Sequence, residues 1–159
     1  MTEQEFSHLD SAGRLRMVDV SAKETTRRVA RASCLVVVPS LQAATAPRDS
    51  GELLVARLAG IQAAKRTAEL IPLCHPLSLS SVRLDVTEHP RGLLVSAEVV
   101  TNGRTGVEME ALTACSFAAL TLLNAQVTSN PGALLEDITL LEKSGGKSGD
   151  WGRDVTGEP

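Results

Sequence analysis

The stretch "LSSVRLDVTEHPRGLLVSAEVVTN", residues 79–102, decides the fold class of this 159-residue chain. Strand-like runs that contain valine and leucine lie on both sides of "PRG", residues 90–92. A Pro- and Gly-containing break between two such runs is typical of a tight turn. The stretch therefore predicts a β-hairpin.

Elements on either side of the hairpin extend this pattern. The β-branched run "RRVARASCLVVVP", residues 27–39, predicts a strand that Pro39 stops, and "LLEDITLLE", residues 134–142, predicts a last strand. Residues 52–70 and 107–127 are rich in Ala and Leu and predict two helices. The order β-α-β-β-α-β predicts an α+β, ferredoxin-like fold, an antiparallel sheet with helices on one face.

Finer features are also predicted. Residues 14–21 alternate and predict a short extended segment, and the turn formers of residues 45–51 predict a loop. Each helix is expected to bury one apolar stripe, namely Leu53, Leu54, Leu58, Ile61, Ala64 and Ala68 in the first, and Met109, Leu112, Ser116, Ala119, Leu120 and Leu123 in the second.

Composition predicts one globular domain over residues 1–159, with flexible tails at 1–13 and 151–159. Phe6, Phe117 and Trp151 are the only aromatic residues, so the stacking that binds single-stranded nucleic acid is not expected. The net charge of −3 argues against broad attraction to nucleic acid or an acidic membrane.

Cys34, Cys74 and Cys115 are scattered, which argues against a disulfide framework and a structural zinc site. The acidic N-terminus has no apolar core of a signal peptide, and no apolar run approaches the length of a membrane span. A cytoplasmic protein without a metal or a membrane partner is therefore expected.

The stretch "KSGGKSGDW", residues 143–151, carries lysines, glycines and small hydroxyls. It is not a P-loop, because Leu141 stands where the first glycine is required and too little chain remains for the following helix. The composition suits a backbone that wraps an anion, but on this stretch alone a flexible, solvated C-terminal tail is favoured.

Two other segments carry candidate site residues. In "AAKRTAELIPLCHPL", Pro72 and Pro76 fix a loop that holds Cys74 and His75, and His75 is either a proton carrier or phosphate donor, or a structural residue. His8 and His89 have no ligand spacing with it.

In "NGRTGVEMEAL", residues 102–112, Thr105 and Glu108 predict a capping box at the start of the second helix. Glu110 could accept hydrogen bonds from a guanine-type edge, and Arg104 is a possible phosphate partner. The cations of these segments together indicate a phosphorylated ligand; they are Lys65, Arg66, Arg104, Lys143 and Lys147.

Four strings carry a resemblance to a known family. "MVDVSAK", "ARLAGIQAAKRTAELIPLCHPL", "GRTGVEMEALTACSFAALT" and "EKSGGKSGD" resemble the MoaC family, the cyclic pyranopterin monophosphate synthases of molybdenum cofactor biosynthesis. The resemblance runs from about residue 7 to residue 150. Strings this long and unusual point to the family and not to a shared fold alone.

The resemblance implies a lyase that converts a cyclic dihydro-GTP intermediate to cyclic pyranopterin monophosphate and releases pyrophosphate. It also implies that the chain assembles into dimers and then into a hexamer. It implies no cofactor for the reaction. The residues that match the family's substrate-binding segments are Leu73, Cys74, His75, Met109 and Glu110, with Lys65, Arg66 and Lys147 at its basic positions.

The chain departs from the family pattern at three positions. Ser50 takes the place of a lysine before the first helix, and Asn124 and Val127 take the places of a catalytic Asp and Lys. Asn cannot act as a carboxylate base, and Val carries no charge. One hypothesis is an active enzyme in which Lys143, Lys147, Asp49 or Glu52 substitutes; the alternatives are a non-catalytic homologue that binds the same ligand as a subunit or regulator, and a binder of another phosphorylated nucleotide.

Overall fold

The computed structural model describes residues 8–10, 12–39 and 51–153. Its strands are β1 (Thr26–Val37), β2 (Leu79–His89), β3 (Gly92–Gly103), β4 (Leu134–Ser144) and β5 (Trp151–Gly152). Its helices are α1 (Gly51–Lys65), α2 (Thr67–Leu70) and α3 (Glu108–Gln126).

The described strands form one antiparallel sheet in the order β2-β3-β1-β4-β5. β1 pairs with both β3 and β4, so the first strand lies at the centre, with the hairpin on one side. The predicted hairpin is confirmed, since His89 pairs with Gly92 across Pro90 and Arg91. With α2 and β5 as additions, this is the predicted ferredoxin-like α+β architecture.

The core lies between the sheet and the helices α1 and α3. One face of β1 and of β3 buries small and β-branched side chains against α3, including Ala32, Val36 and Val95. The two helices contact each other at Gly60, where an added Cβ atom would lie 2.7 Å from the carbonyl oxygen of Ala114. Small residues therefore let the helix backbones approach closely.

The predicted apolar stripes are wrong in part. Leu54 and Leu58 of α1 are 54% and 57% exposed, and Leu120 of α3 is 47% exposed. Of the predicted positions, Leu53, Ala64 and Ala119 are buried as expected. Most other buried positions are small residues outside the predicted stripes, including Ala56 and Ala63 in α1 and Ala111, Ala114, Cys115 and Ala118 in α3. The helices pack through the side that allows the closest approach, which leaves larger side chains on the outer face.

Three local predictions also need correction. The first helix does not run to Leu70, because it ends at Lys65, and Arg66 precedes the separate α2. The capping box is absent, since Val107 is the N-cap of α3 and no side chain bonds to that cap. The extended segment predicted at residues 14–21 forms no strand, and only Leu15 bridges to Leu9.

Predictions at the chain ends and in the loop fall partly outside the described residues. The loop at 45–51 is described only at Gly51, where α1 begins. Of the tails expected at 1–13 and 151–159, the described parts form the Leu9–Leu15 bridge and the strand β5. In the described part of the chain, no helix has the length and apolar character needed to cross a membrane.

Candidate active site

A cleft of about 350 Å³ lies between the loop after α2, the N-terminus of α3 and the N-terminal segment; we name it the Glu110 cleft. It brings together all five residues of the predicted substrate-binding segments, which are distant in sequence. Its lining is His8, Val18, Lys23, Leu73, Cys74, His75, Leu77, Thr105, Gly106, Glu108, Met109 and Glu110.

Glu110 lies in the first turn of α3 and is 4% exposed. Burial raises the pKa of its carboxyl group to about 7, and the nearby Glu108 carboxylate adds to the shift. A carboxyl group with this pKa is ionised in part of the population at neutral pH, so it can either accept or donate a proton there.

His75 is held by the N-terminal segment. Its Nε2 atom lies 2.8 Å from the carbonyl oxygen of Val18. A carbonyl can only accept, so Nε2 carries the hydrogen and donates it, and in the neutral ring Nδ1 is the basic nitrogen. The histidine therefore presents a defined tautomer.

The loop that carries Leu73 and Cys74 is short and conformationally restricted. Leu73 has a φ of 67°, in the left-handed region that side chains other than glycine rarely adopt, and Cys74 donates its N–H to the Ile71 carbonyl. Burial raises the pKa of the Cys74 thiol, and the charge of Glu110 adds to it. Cys74 is therefore protonated at neutral pH and is not an activated nucleophile.

A second cavity, of about 910 Å³, adjoins the first; we name it the Lys147 cavity. Lys23 lines both cavities, which places them side by side. Three of the lining side chains are cationic and two are anionic. The lining is Asp19, Ala22, Lys23, Glu24, Thr26, Arg28, Gly146, Lys147 and Ser148.

The loop after β4 forms one wall of the Lys147 cavity. Gly145 and Gly146 have φ angles of 92° and 77°, and the N–H of Gly145 donates to the Asp150 carboxylate over 3.1 Å. A Cβ atom at Gly145 would collide with the carbonyl oxygen of Arg27, and one at Gly146 with the Arg28 guanidinium. The stretch is therefore held in a defined loop conformation, and the prediction that its backbone wraps an anion stays a prediction.

Arg28 hydrogen-bonds to the segment before α3. Its Nε atom donates to the carbonyl of Gly103 over 3.1 Å, and Nη2 donates to the carbonyl of Arg104 over 3.2 Å. Its guanidinium also lies beside Gly146, so Arg28 lies between the two segments that border the cavities. It was not among the residues predicted from the sequence.

The remaining predicted cations are distributed unequally. Lys147 lines the second cavity, and Lys143 forms an ion pair with Glu108 at the edge of the first. The side chains of Lys65, Arg66 and Arg104 are exposed, and none of the three lines either cavity. Of the five cations taken to indicate a phosphorylated ligand, only Lys147 lines a cavity, and Lys143 lies at the edge of the other.

The departures from the family pattern lie away from the cavities or outside the described residues. Asn124 and Val127 are exposed at the C-terminal end of α3, and neither lines the Glu110 cleft or the Lys147 cavity. Ser50 and Asp49 are not among the described residues.

Two cleft residues were missed by sequence reasoning. The sequence shows no ligand spacing between His8 and His75, and Lys23 belongs to the string "MVDVSAK" without being a candidate site residue. Both reach the cleft because residues 8–10 and 12–23 pass beside the loop of His75, a long-range contact that local spacing does not reveal.

Comparison with known proteins agrees with these motifs. The model of the MoaC family matches residues 17–146. Proteins named cyclic pyranopterin monophosphate synthase from Streptomyces avermitilis and Thermomicrobium roseum are 49% and 50% identical to the chain, covering 95% and 94% of it and 91% and 94% of their own length. The synthase of Desulforapulum autotrophicum is 47% identical and covers 98% of the chain and 99% of its own.

Proposed function

The chain belongs to the MoaC family, and from this premise we propose that it is a cyclic pyranopterin monophosphate synthase of molybdenum cofactor biosynthesis. The proposed reaction rearranges a cyclic dihydro-GTP intermediate to cyclic pyranopterin monophosphate and releases pyrophosphate. The observation that carries the proposal is similarity along nearly the whole chain to proteins of that name. The comparisons give no support to a non-catalytic homologue.

The two cavities suit the two ends of such a substrate. In the Glu110 cleft, the Glu110 carboxylate can accept hydrogen bonds from the N–H groups of a guanine-derived ring, and His75 with Glu110 can move protons during ring opening and closing. In the Lys147 cavity, Lys23, Arg28 and Lys147 can neutralise the triphosphate and the departing pyrophosphate. Lys23 would lie where the two ends meet.

The remaining predicted residues take lesser roles in this proposal. Leu73, Cys74 and Met109 shape the wall of the cleft, and Lys143 holds Glu108 at its edge. Asn124 occupies the family's Asp position and contributes no acid–base group, so Glu110 and His75 must carry the proton transfers.

The proposal includes homo-oligomer assembly and a cytoplasmic location. The exposed apolar side chains on the outer faces of α1 and α3, which include Leu54, Leu58, Phe117 and Leu120, would be covered by another copy. Sedimentation analysis of the purified chain distinguishes a dimer or hexamer from a monomer.

The deciding experiment measures pyranopterin formation and pyrophosphate release from the cyclic intermediate, with the purified wild-type chain. We expect turnover, and we expect His75→Ala and Glu110→Ala to reduce kcat/KM by about 10²–10⁴-fold, the range of a lost acid–base group. His89→Ala is the control, because His89 lies at the end of β2 and lines neither cavity. A wild-type chain that binds the intermediate without converting it would contradict the proposed function.

A second experiment addresses the three departures. The triple variant Ser50→Lys, Asn124→Asp, Val127→Lys restores the pattern that the family resemblance implies. A large gain in turnover would mean that these groups limit the wild-type rate. Unchanged turnover in a folded variant would mean that the residues of the two cavities already supply the chemistry.

A further inference from the structure

His8 lies on a small hairpin that precedes the first strand of the sheet. Leu9 bridges to Leu15, and the N–H of Arg16 donates to the His8 carbonyl over 2.8 Å. The hydrogen bond with Arg16, eight residues away, therefore fixes the backbone of His8 and the point from which its side chain extends.

The turn of this hairpin is closed by Asp10. Its Oδ1 atom accepts hydrogen bonds from the backbone N–H groups of Ala12 and Arg14, each over 2.9 Å. Its Oδ2 atom accepts a hydrogen bond from Nε of Arg14 over 2.8 Å. Hydrogen bonds to the carboxylate, above all that from the Arg14 backbone, hold the pKa of Asp10 below its usual value. The carboxylate therefore keeps the turn closed at neutral pH.

The imidazole of His8 is half-buried and lines the Glu110 cleft. His75, Glu110 and Cys74 line the same cleft. The same segment continues to Val18, whose carbonyl orients His75. One stretch of chain thus supplies one imidazole and sets the tautomer of another.

We propose that His8 contacts the substrate in the Glu110 cleft, as a hydrogen-bonding residue for the heterocyclic end of the molecule. This rests on the proposed function, which places a guanine-derived ring in that cleft. Such a ring has donors and acceptors along its edges, and a buried edge needs a partner for each. Glu110 can serve the donors of one edge, while an imidazole on the hairpin can serve another edge as donor or acceptor.

The choice of the heterocyclic end follows from where His8 lies. His8 lines the Glu110 cleft but not the Lys147 cavity, and of the three cations that line that cavity only Lys23 also reaches the cleft. A phosphate-binding role would place the imidazole beside Arg28 and Lys147 as well. His8 therefore defines how the ring is seated and leaves phosphate binding to the other cavity.

The test compares three variants in the steady-state conversion of the cyclic intermediate. His8→Phe keeps a planar ring of similar size and removes both nitrogens, and His8→Gln returns a donor and an acceptor. We expect His8→Phe to lower kcat/KM by about tenfold or more, as loss of a buried hydrogen bond does, and His8→Gln to recover most of it. His89→Phe, the matched control outside the cleft, should match the wild type.

Recovery by glutamine separates substrate contact from a structural role. If His8 only supported the hairpin, Phe and Gln would act alike and both would lower the melting temperature. Equal kcat/KM for the wild type and His8→Phe would overturn the proposal while leaving the proposed function intact.

A second readout does not depend on turnover. The ring resonances of the three histidines are followed by NMR while GTP is added to the wild-type chain, with His8 assigned from the His8→Gln spectrum. We expect the His8 and His75 signals to shift and the His89 signal to stay. Shifts without any turnover would support the contact and contradict the synthase activity, whereas an unmoved His8 signal would overturn the contact.

Discussion

The Nζ atom of Lys143 lies 3.1 Å from the Oε1 atom of Glu108, so an ion pair joins the end of β4 to the first turn of α3. Glu108 lines the Glu110 cleft, and Lys143 immediately precedes the loop that borders the Lys147 cavity. A Cβ atom at Gly106 would collide with the Glu108 carboxyl group, so the glycine makes room for this arrangement. The pair therefore links the walls of both cavities.

Replacing Lys143 and replacing Glu108 both break this pair, but the two changes should have unequal effects on KM. Lys143→Met removes a cation and leaves the Glu108 carboxylate uncompensated near an anionic substrate, so KM for the cyclic intermediate should rise by roughly tenfold. Glu108→Gln leaves Lys143 in place and should change KM by less than about threefold. Steady-state kinetics measures both effects, and equal effects would mean that the pair acts only as a link between elements.

Unfolding measurements on the same variants provide the control. The two side chains are 32% and 29% exposed, and a pair this accessible contributes only about 0–1 kcal/mol to the free energy of unfolding. We expect both variants to melt within a few degrees of the wild type, so the kinetic differences would not reflect partial unfolding.

Glu110 should make stability depend on pH. The pKa of this carboxyl group rises from 4.5 to about 7 on folding, so between these values the folded chain holds more protons than the unfolded one. The contribution of this group to the free energy of unfolding is therefore fully present below about pH 4.5, where the carboxyl group is protonated in both states. It is lost as the pH rises through about 7, a change on the order of 3 kcal/mol. Denaturant unfolding between pH 5 and pH 8 measures it.

Glu110→Gln, which cannot titrate, should remove this component. As the pH rises from about 5 to about 8, the wild type should lose unfolding free energy through this group and the glutamine variant should not. The variant should therefore become more stable relative to the wild type. Glu69→Gln, at an exposed position in α2, is the control and should leave the wild-type slope unchanged. A slope in Glu110→Gln equal to that of the wild type would contradict the raised pKa.

The fold was largely predictable because local pattern and final packing agree along the strands. Residues 79–102 contain two strand-like runs with a Pro- and Gly-containing break between them, and β2 pairs with β3 across that break. The helix faces were less predictable. In α1, leucines at 54 and 58 suggest a buried stripe by hydrophobicity, but Gly60 and its alanine neighbours allow closer contact with α3, and proximity decided the face.

The candidate site was predictable only where its residues are clustered in sequence. Cys74 and His75 lie between prolines, and Glu110 is a carboxylate among apolar residues, so each could be singled out. His8, Lys23 and Arg28 come together with them through the path of the N-terminal segment and the pairing of β1. No period or spacing in a single sequence reveals such long-range proximity.

Two glycine-to-alanine variants in the loop after β4 should separate the effect of backbone strain from that of steric collision. Gly145 and Gly149 have φ angles of 92° and 69°, so alanine is strained at either position by about 1–2 kcal/mol. At Gly145 the added methyl group would also collide with the Arg27 carbonyl, whereas at Gly149 it meets nothing within 4 Å. We expect Gly145→Ala to raise KM at least tenfold and Gly149→Ala to change it little, since only the first must displace the loop that carries Lys147. Similar KM values for both variants would show that the loop position does not matter for binding.

The contact between α1 and α3 should depend on the missing side chain of Gly60. An alanine methyl group there would lie 2.5 Å from Cδ1 of Leu84 and 2.7 Å from the Ala114 carbonyl oxygen, too close for either. Overpacking of this kind costs about 1–3 kcal/mol, and because the Ala114 backbone belongs to α3, relief requires the helices to separate. Gly51→Ala, at the start of α1, has no atom of the described residues within 4 Å of the added methyl group and should be neutral or slightly stabilising. Thermal unfolding of the two variants tests this directly, and Gly60→Ala as stable as Gly51→Ala would contradict the close approach of the helices.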